Sequence, residues 1–191
     1  MAVDVAGFIT YLKDHAVEHG FHVHDERHFI ETYSLRQAFE VDMHPEMACD
    51  GPLDLNLAFD VEPRMLLDLE DQMDKLDDDY AEPDGDWRQQ LLFHWNLPAL
   101  QSPPDLVILA TELAGIAGPA IPIEVSAVDS FGALANAPER RLSLVGRFDV
   151  SLVDVMLGRE KLCDVLDRCR EVSEHLVRAA EDWKPLYPDE D

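Results

Sequence analysis

The chain reads as an α+β domain built on an antiparallel or mixed sheet of about five strands, with helices packed mainly on one face. Three observations predict this. Two stretches, Phe39–Met43 and Leu53–Val61, alternate apolar and polar residues with period two and follow one another directly. A second consecutive pair lies near Ile121–Ala127 and Leu142–Val150. Helical periodicity flanks and separates these strands, so the order reads α-β-β-α-β-α-β-β-α. Consecutive strands favour antiparallel pairing, and one polar face per strand means half-buried strands.

The first helix covers Asp4–His19, with Val5, Phe8, Ile9, Leu12 and Ala16 on one stripe. Asp4 is its N-cap, and Gly20 is the residue past its end that can take a left-handed conformation. A polar, histidine-rich stretch follows through His28. In the first strand pair, Phe39, Val41 and Met43 face one way, and Leu53, Leu55, Leu57, Phe59 and Val61 do the same in the next strand. Glu40, Asp42, His44, Asp54, Asn56 and Asp60 project from the other side. The connection through Pro45 and Cys49-Asp50-Gly51-Pro52 is longer than a tight hairpin, so the register is not readable.

Glu62–Leu76 is the next helix, with Pro63 in its first turn. An exposed acidic loop, residues 77–86, follows it. Trp87–Leu97 reads as a strand whose core face carries Trp87, Phe93 and Trp95. Ser102-Pro103 is a good helix opening, with Ser102 as cap, for a helix reaching Ile116. After the second strand pair, Ser151 with Asp154 resembles a capping box that starts a short turn ended by Gly158. Arg159–Trp183 is the longest helix, with Leu162, Leu166, Cys169, Val172, Leu176, Ala180 and Trp183 on one stripe. The acidic tail, residues 185–191, is expected to fray. Residues 1–191 therefore form a single α+β domain.

Charge does most to narrow the function. Forty of the 191 residues are Asp or Glu, against 15 Lys and Arg, for a formal net charge of -25. The pI is near 4.4. Such a field repels nucleic acid and anionic membranes and attracts basic protein surfaces. A hydrophobic fraction of 47% is ample for a core, so the acid belongs on the surface. The segment Leu106–Ile123 is apolar, but Gly115, Gly118, Pro119 and Pro122 interrupt it, so it reads as a buried helix and strand and not as a membrane span. Three cysteines, Cys49, Cys163 and Cys169, without CxxC spacing fit a reducing cytoplasm. No signal peptide is visible in the first twenty residues.

Chemistry-bearing residues gather near the N-terminus. His15, His19, His22, His24, His28 and His44 are six of the eight histidines. His15 and His19 share a helix face at i, i+4, and His22 and His24 share one side of an extended segment. Imidazole nitrogens are good zinc ligands, and Asp25 or Asp42 can complete a shell. The run His22-Val23-His24-Asp25-Glu26-Arg27-His28 is similar to the HxHxDH signature of metallo-β-lactamases but departs from it: Asp25 follows His24 directly, and two residues separate it from His28. HExxH is also absent. The acidic loop breaks an EF-hand pattern at Tyr80 and Leu91. Paired carboxylates on the polar strand face can do acid/base work if their pKa values are split. Cys49 and His44 can pair as thiolate and base, although Glu46 and Asp50 oppose ionisation of the thiol. Neither a Gly-rich phosphate loop nor GxSxG occurs.

These observations predict a non-enzymatic acidic binding or adaptor protein that recognises a protein partner, with charge favouring a basic one, and needs no cofactor. Small size, low pI and the α+β order resemble the acidic secretion chaperones as a class, which implies a chaperone-like role. The first alternative is a metal-dependent enzyme with zinc on His15, His19, His22, His24 and His28. The second is an acidic mimic of nucleic acid. A homodimer through the Arg159–Trp183 helix is also expected. A helix of that length spans roughly 37 Å at about 1.5 Å per residue, so its apolar end needs cover.

Overall fold

The computed structural model describes residues 3–49, 51–76, 82–131 and 139–184. The described elements are α1 (Val5–Glu18), β1 (Phe21–Ile30), β2 (Gln37–Pro45), β3 (Asp54–Val61), α2 (Pro63–Met73), β4 (Arg88–Asn96), α3 (Leu106–Ala117), β5 (Ile123–Ser130), β6 (Glu139–Ser151), α4 (Leu152–Leu157) and α5 (Cys163–Trp183). The strands form one sheet in the order β1-β2-β3-β4-β6-β5. Every neighbouring pair is antiparallel. The fold is α+β, as the alternating strand patterns require.

The sheet has one strand beyond the five expected. β1 occupies the histidine-rich stretch that had no strand pattern, because an edge strand with few buried side chains shows little alternation. It also contains a bulge. Val23 lies opposite Met43 and Asp25 lies opposite Asp42, so His24 is an extra residue on β1. A one-residue shift moves every later side chain to the other face. Beyond the bulge, Asp25 and Arg27 therefore stand on the same face as Asp42 and Glu40. Glu26 turns to the helical side and pairs with Lys13 of α1.

The helix-covered face carries the core. Phe39, Val41, Met43, Leu55, Leu57, Phe59, Leu91, Phe93, Trp95, Leu142 and Leu144 are buried and join one cluster with Phe8, Ile9 and Leu12 of α1 and Leu109 and Leu113 of α3. Phe8 packs on Phe59 with ring centroids 5.4 Å apart. Trp95 is fully buried, and its indole N–H donates to Ser173 Oγ of α5 at 2.8 Å. Ser173 in turn donates to the Cys169 carbonyl at 2.8 Å. Gly146 lies beneath that indole, where a Cβ would come within 2.9 Å of Trp95 Cζ3.

Several helix boundaries follow the sequence. Asp4 accepts from the Gly7 amide at 2.8 Å, and Gly20 takes φ +82°. Ser151 accepts from the Asp154 amide, and Gly158 ends α4 in the left-handed region. Two boundaries differ. The cap of α3 is Asp105, which accepts from Val107 and Ile108, and not Ser102. The Ser102 amide is taken by the Trp183 carbonyl and the Gln101 amide by that of Lys184, so this segment closes the end of α5. α5 itself starts at Cys163 and not at Arg159. Its stripe is covered within the chain: Leu176 and Ala180 are buried, and Trp183 is 9% exposed. The apolar end of α5 is therefore covered within the chain.

No helix among the described residues is long and apolar enough to cross a membrane. The apolar stretch after Pro104 divides into α3 and β5 at Gly118, which takes φ +70°. Residues 77–81 of the acidic loop and the tail 185–191 lie outside the described residues.

Candidate functional site

The second face of the sheet is polar and half-buried. Cross-strand register builds it in rows: Asp25, Asp42, Asn56 and His94 are successive partners from β1 to β4. Arg27 and Glu40 stand opposite one another in the next row. Asp42, Asn56, His94, Arg27 and Glu40, with His24, His44, Asp54 and Asn96, line a cleft of about 670 Å³.

Arg27 organises the cleft. Its Nη1 and Nη2 donate to the two Asp42 oxygens at 2.7 and 3.0 Å, and its Nε donates to Glu40 at 3.0 Å. Nη1 also lies 3.3 Å from Asp25. Planar guanidinium geometry suits this forked contact. Asn56 Nδ2 donates to Asp42 at 2.7 Å. The Arg27 hydrogen bond holds the Asp42 carboxyl below the usual carboxylate range, with Asn56 helping and burial opposing. Reciprocally, Asp42 and then Glu40 raise the Arg27 guanidinium. Burial lowers the His94 imidazole, and Arg147 adds to this against Glu40. Arg27 thus pairs with Asp25, Glu40 and Asp42, and Asp54 adds a further carboxylate to the lining, leaving the cleft anionic.

A second cluster sits at one end of the cleft. His22 is the cross-strand partner of His44. A short 3-10 turn, Glu46–Ala48, brings Cys49 back beside them. Cys49 Sγ lies 3.2 Å from His22 Nδ1. His22, His44 and Cys49 each present a donor atom within 4.8 Å of the others. His24 Nε2 is 3.1 Å from His44 Nδ1. Burial, then the neighbouring His24 and His22, lower the His44 imidazole.

The histidines of the proposed zinc set do not meet in one place. His15 contacts Tyr11 and Glu18 on α1. His19 Nδ1 lies 2.8 Å from Asp167 of α5. His28 falls on the helical side of the bulge, stacks on Phe39 with centroids 4.0 Å apart and bonds to Gln37. Only His22 and His24 remain near His44. The polar strand residues Glu40, Asp42, His44, Asp54 and Asn56 do share the cleft, whereas Asp60 is engaged by Arg36 further along the face.

Arg27 and His94 line the cleft and are residues of the candidate site that sequence reasoning missed. Arg27 needed the bulge, and His94 needed the β3–β4 register. The sequence pairs Cys49 with His44; in the structure His22 joins them, with its Nδ1 3.2 Å from Cys49 Sγ. Chemically, the anionic cleft suits a cationic group, and the thiol with two imidazoles suits a soft or borderline metal ion. Comparison with protein-family models, with curated proteins and with solved structures gives no match.

Proposed function

We propose that this protein is a non-enzymatic acidic adaptor whose polar sheet face takes a basic segment of a partner protein, in a chaperone-like way. The observation that carries the reading is the cleft: Glu40, Asp42 and Asp54 line it with Arg27, which pairs with Glu40, Asp42 and, at its edge, Asp25. An incoming arginine or lysine meets carboxylates held in place by hydrogen bonds, so little ordering is needed at binding. The net charge of -25 adds long-range attraction for a basic partner and repulsion for nucleic acid. The free cysteines Cys49, Cys163 and Cys169 support a reducing, cytoplasmic setting.

An arginine-rich peptide titrated into isotopically labelled protein tests this. The expected result is salt-sensitive binding with shifts concentrated at Glu40, Asp42, Asp54, Asn56 and His94, weakened by Asp54→Asn with Glu40→Gln. Binding that leaves these residues unmoved, or that the double variant does not weaken, overturns the assignment of the face.

A further inference from the structure

We infer that His22, His44 and Cys49 form a binding site for a zinc-like divalent ion, at the end of the sheet where β1 begins and β2 finishes. The site stands whether or not the cleft takes a protein partner.

The backbone brings the three donors together. His22 and His44 are fixed as cross-strand partners. The Glu46 amide donates to the Gly20 carbonyl at 3.1 Å, which ties the turn after β2 to the residue preceding β1. Buried Ala48 and Leu53 anchor that turn, and the Gly51 amide closes on the Ala48 carbonyl at 2.9 Å. The donors thus come from three separate points of the chain that the fold holds in place, and not from adjacent residues on one mobile loop.

The distances fit. Tetrahedral zinc, with bonds of about 2.0–2.1 Å to nitrogen and about 2.3 Å to sulfur, sets its ligand atoms roughly 3.3–3.8 Å apart. Cys49 Sγ and His22 Nδ1 are already 3.2 Å apart, and all three donors lie within 4.8 Å of one another. Small side-chain rotations close the remaining gap. Behind the site, Glu46 Oε1 lies 3.8 Å from His22 Nε2, the nitrogen that faces away from Cys49. A carboxylate behind a ligating imidazole is the usual outer support, because it fixes the ring and raises its donor strength.

The donor set also selects the ion. One thiolate and two imidazoles suit zinc or cobalt(II), whereas magnesium and calcium prefer the carboxylates that abound elsewhere on this surface. Binding would form the metal–sulfur bond as Cys49 loses its thiol proton to solvent, with no change of oxidation state. Three protein ligands leave the fourth position to water.

Cobalt(II) titrated into the tag-free, chelator-treated full chain reads the site directly. The expected result is one equivalent bound with a thiolate-to-cobalt charge-transfer band in the near ultraviolet and visible bands of tetrahedral intensity, both displaced by zinc. Cys49→Ser changes one atom on an exposed turn and should abolish the charge-transfer band. Cys163→Ser, at the other exposed thiol, should leave it unchanged. Glu46→Gln should weaken binding roughly tenfold, as loss of an outer carboxylate does, and His22→Ala by more. Zinc should also slow alkylation of Cys49 by iodoacetamide. A spectrum with only the weak bands of octahedral cobalt would mean carboxylate binding and would overturn the proposal. So would a charge-transfer band that survives Cys49→Ser, or an alkylation rate that zinc does not change.

Discussion

Arg27 of β1 grips Asp42 of β2 through both terminal nitrogens, at 2.7 and 3.0 Å, although simple alternation along β1 would put Arg27 on the opposite face. The bulge at His24 is what permits the contact. If residues 21–30 alternated regularly with His24 paired like its neighbours, His22, His24, Glu26 and His28 would share one face, and the guanidinium would point toward the helices. A local irregularity therefore determines which charges meet in the cleft.

Replacing Arg27 by Gln should return the Asp42 carboxyl toward the ordinary carboxylate range. Its shift is downward and owes most to the Arg27 hydrogen bond. A carboxyl with a depressed folded pKa contributes stability that is present above its unfolded value, about 3.9, and is lost as pH falls through the folded value. The variant should show less acid loss from this group, because there is less contribution to lose. Carboxyl-detected NMR titration of Asp42 in both proteins reads the shift. An unchanged Asp42 titration would mean that Asn56 alone holds the carboxylate.

His94 gives a dependence in a different pH window. Burial is the first cause of its lowered pKa. The unfolded chain then takes up a proton at about pH 6.5, while the folded chain resists it. Between the two values the unfolded state holds more protons, so stability falls as pH drops below about 6.5 and levels off beneath the folded value. His94→Gln should flatten that part of the profile. Urea midpoints across pH 5 to 8, about the range in which histidine titrates, give the comparison. A variant profile that runs parallel to the wild type assigns the dependence to other histidines.

Much of the fold was legible because it rests on local patterns. Asp4, Gly20, Ser151 and Gly158 mark helix ends through their own backbone and side-chain chemistry. The strand faces of Phe39–Met43 and Leu53–Val61 follow from period two. β1 was not legible, since Phe21–Ile30 is an edge strand whose charged residues shield exposed backbone and mask alternation. The choice of Asp105 over Ser102 depended on a distant event, the docking of residues 101 and 102 on the end of α5. The cleft was half legible for the same reason: side-chain direction on β2 and β3 is local, but the Arg27 and His94 neighbours depend on register and a bulge.

The Trp95–Ser173 contact should be the most sensitive polar point in the core. Ser173 is fully buried, and its hydroxyl accepts the only N–H of the indole. Ser173→Ala removes the acceptor with little change in volume and leaves a buried donor unpaired, costing about 1–3 kcal/mol. Ser173→Thr keeps the hydroxyl and should recover part of the loss, limited by the extra methyl in a packed site. Chemical denaturation with near-ultraviolet circular dichroism of Trp95 separates the two effects. Equal stability of the Ala variant and the wild type would show that the indole finds another partner.

Deleting His24 should be tolerated, whereas inserting one residue three positions later should not. His24 is the extra residue of the bulge, so its removal leaves Val23 opposite Met43 and Asp25 opposite Asp42, now in regular alternation. Arg27 keeps its place over Glu40 and Asp42, and the edge strand loses only local twist. One alanine inserted after Glu26 leaves the first half of β1 intact but moves Arg27 to the position opposite Phe39, on the helical face. A guanidinium there takes the exposed place that His28 holds over Phe39 and loses Asp42 and Glu40, and the freed carboxylates repel one another. The deletion variant should therefore keep the depressed Asp42 pKa and a melting temperature close to wild type. The insertion should lose both, or should form a second bulge that restores the pairing at some loss of stability. Cross-strand nuclear Overhauser contacts between residues 23 and 43 and between 25 and 42 would report the register in each. Loss of those contacts in the deletion variant would show that the bulge is needed for the pairing itself.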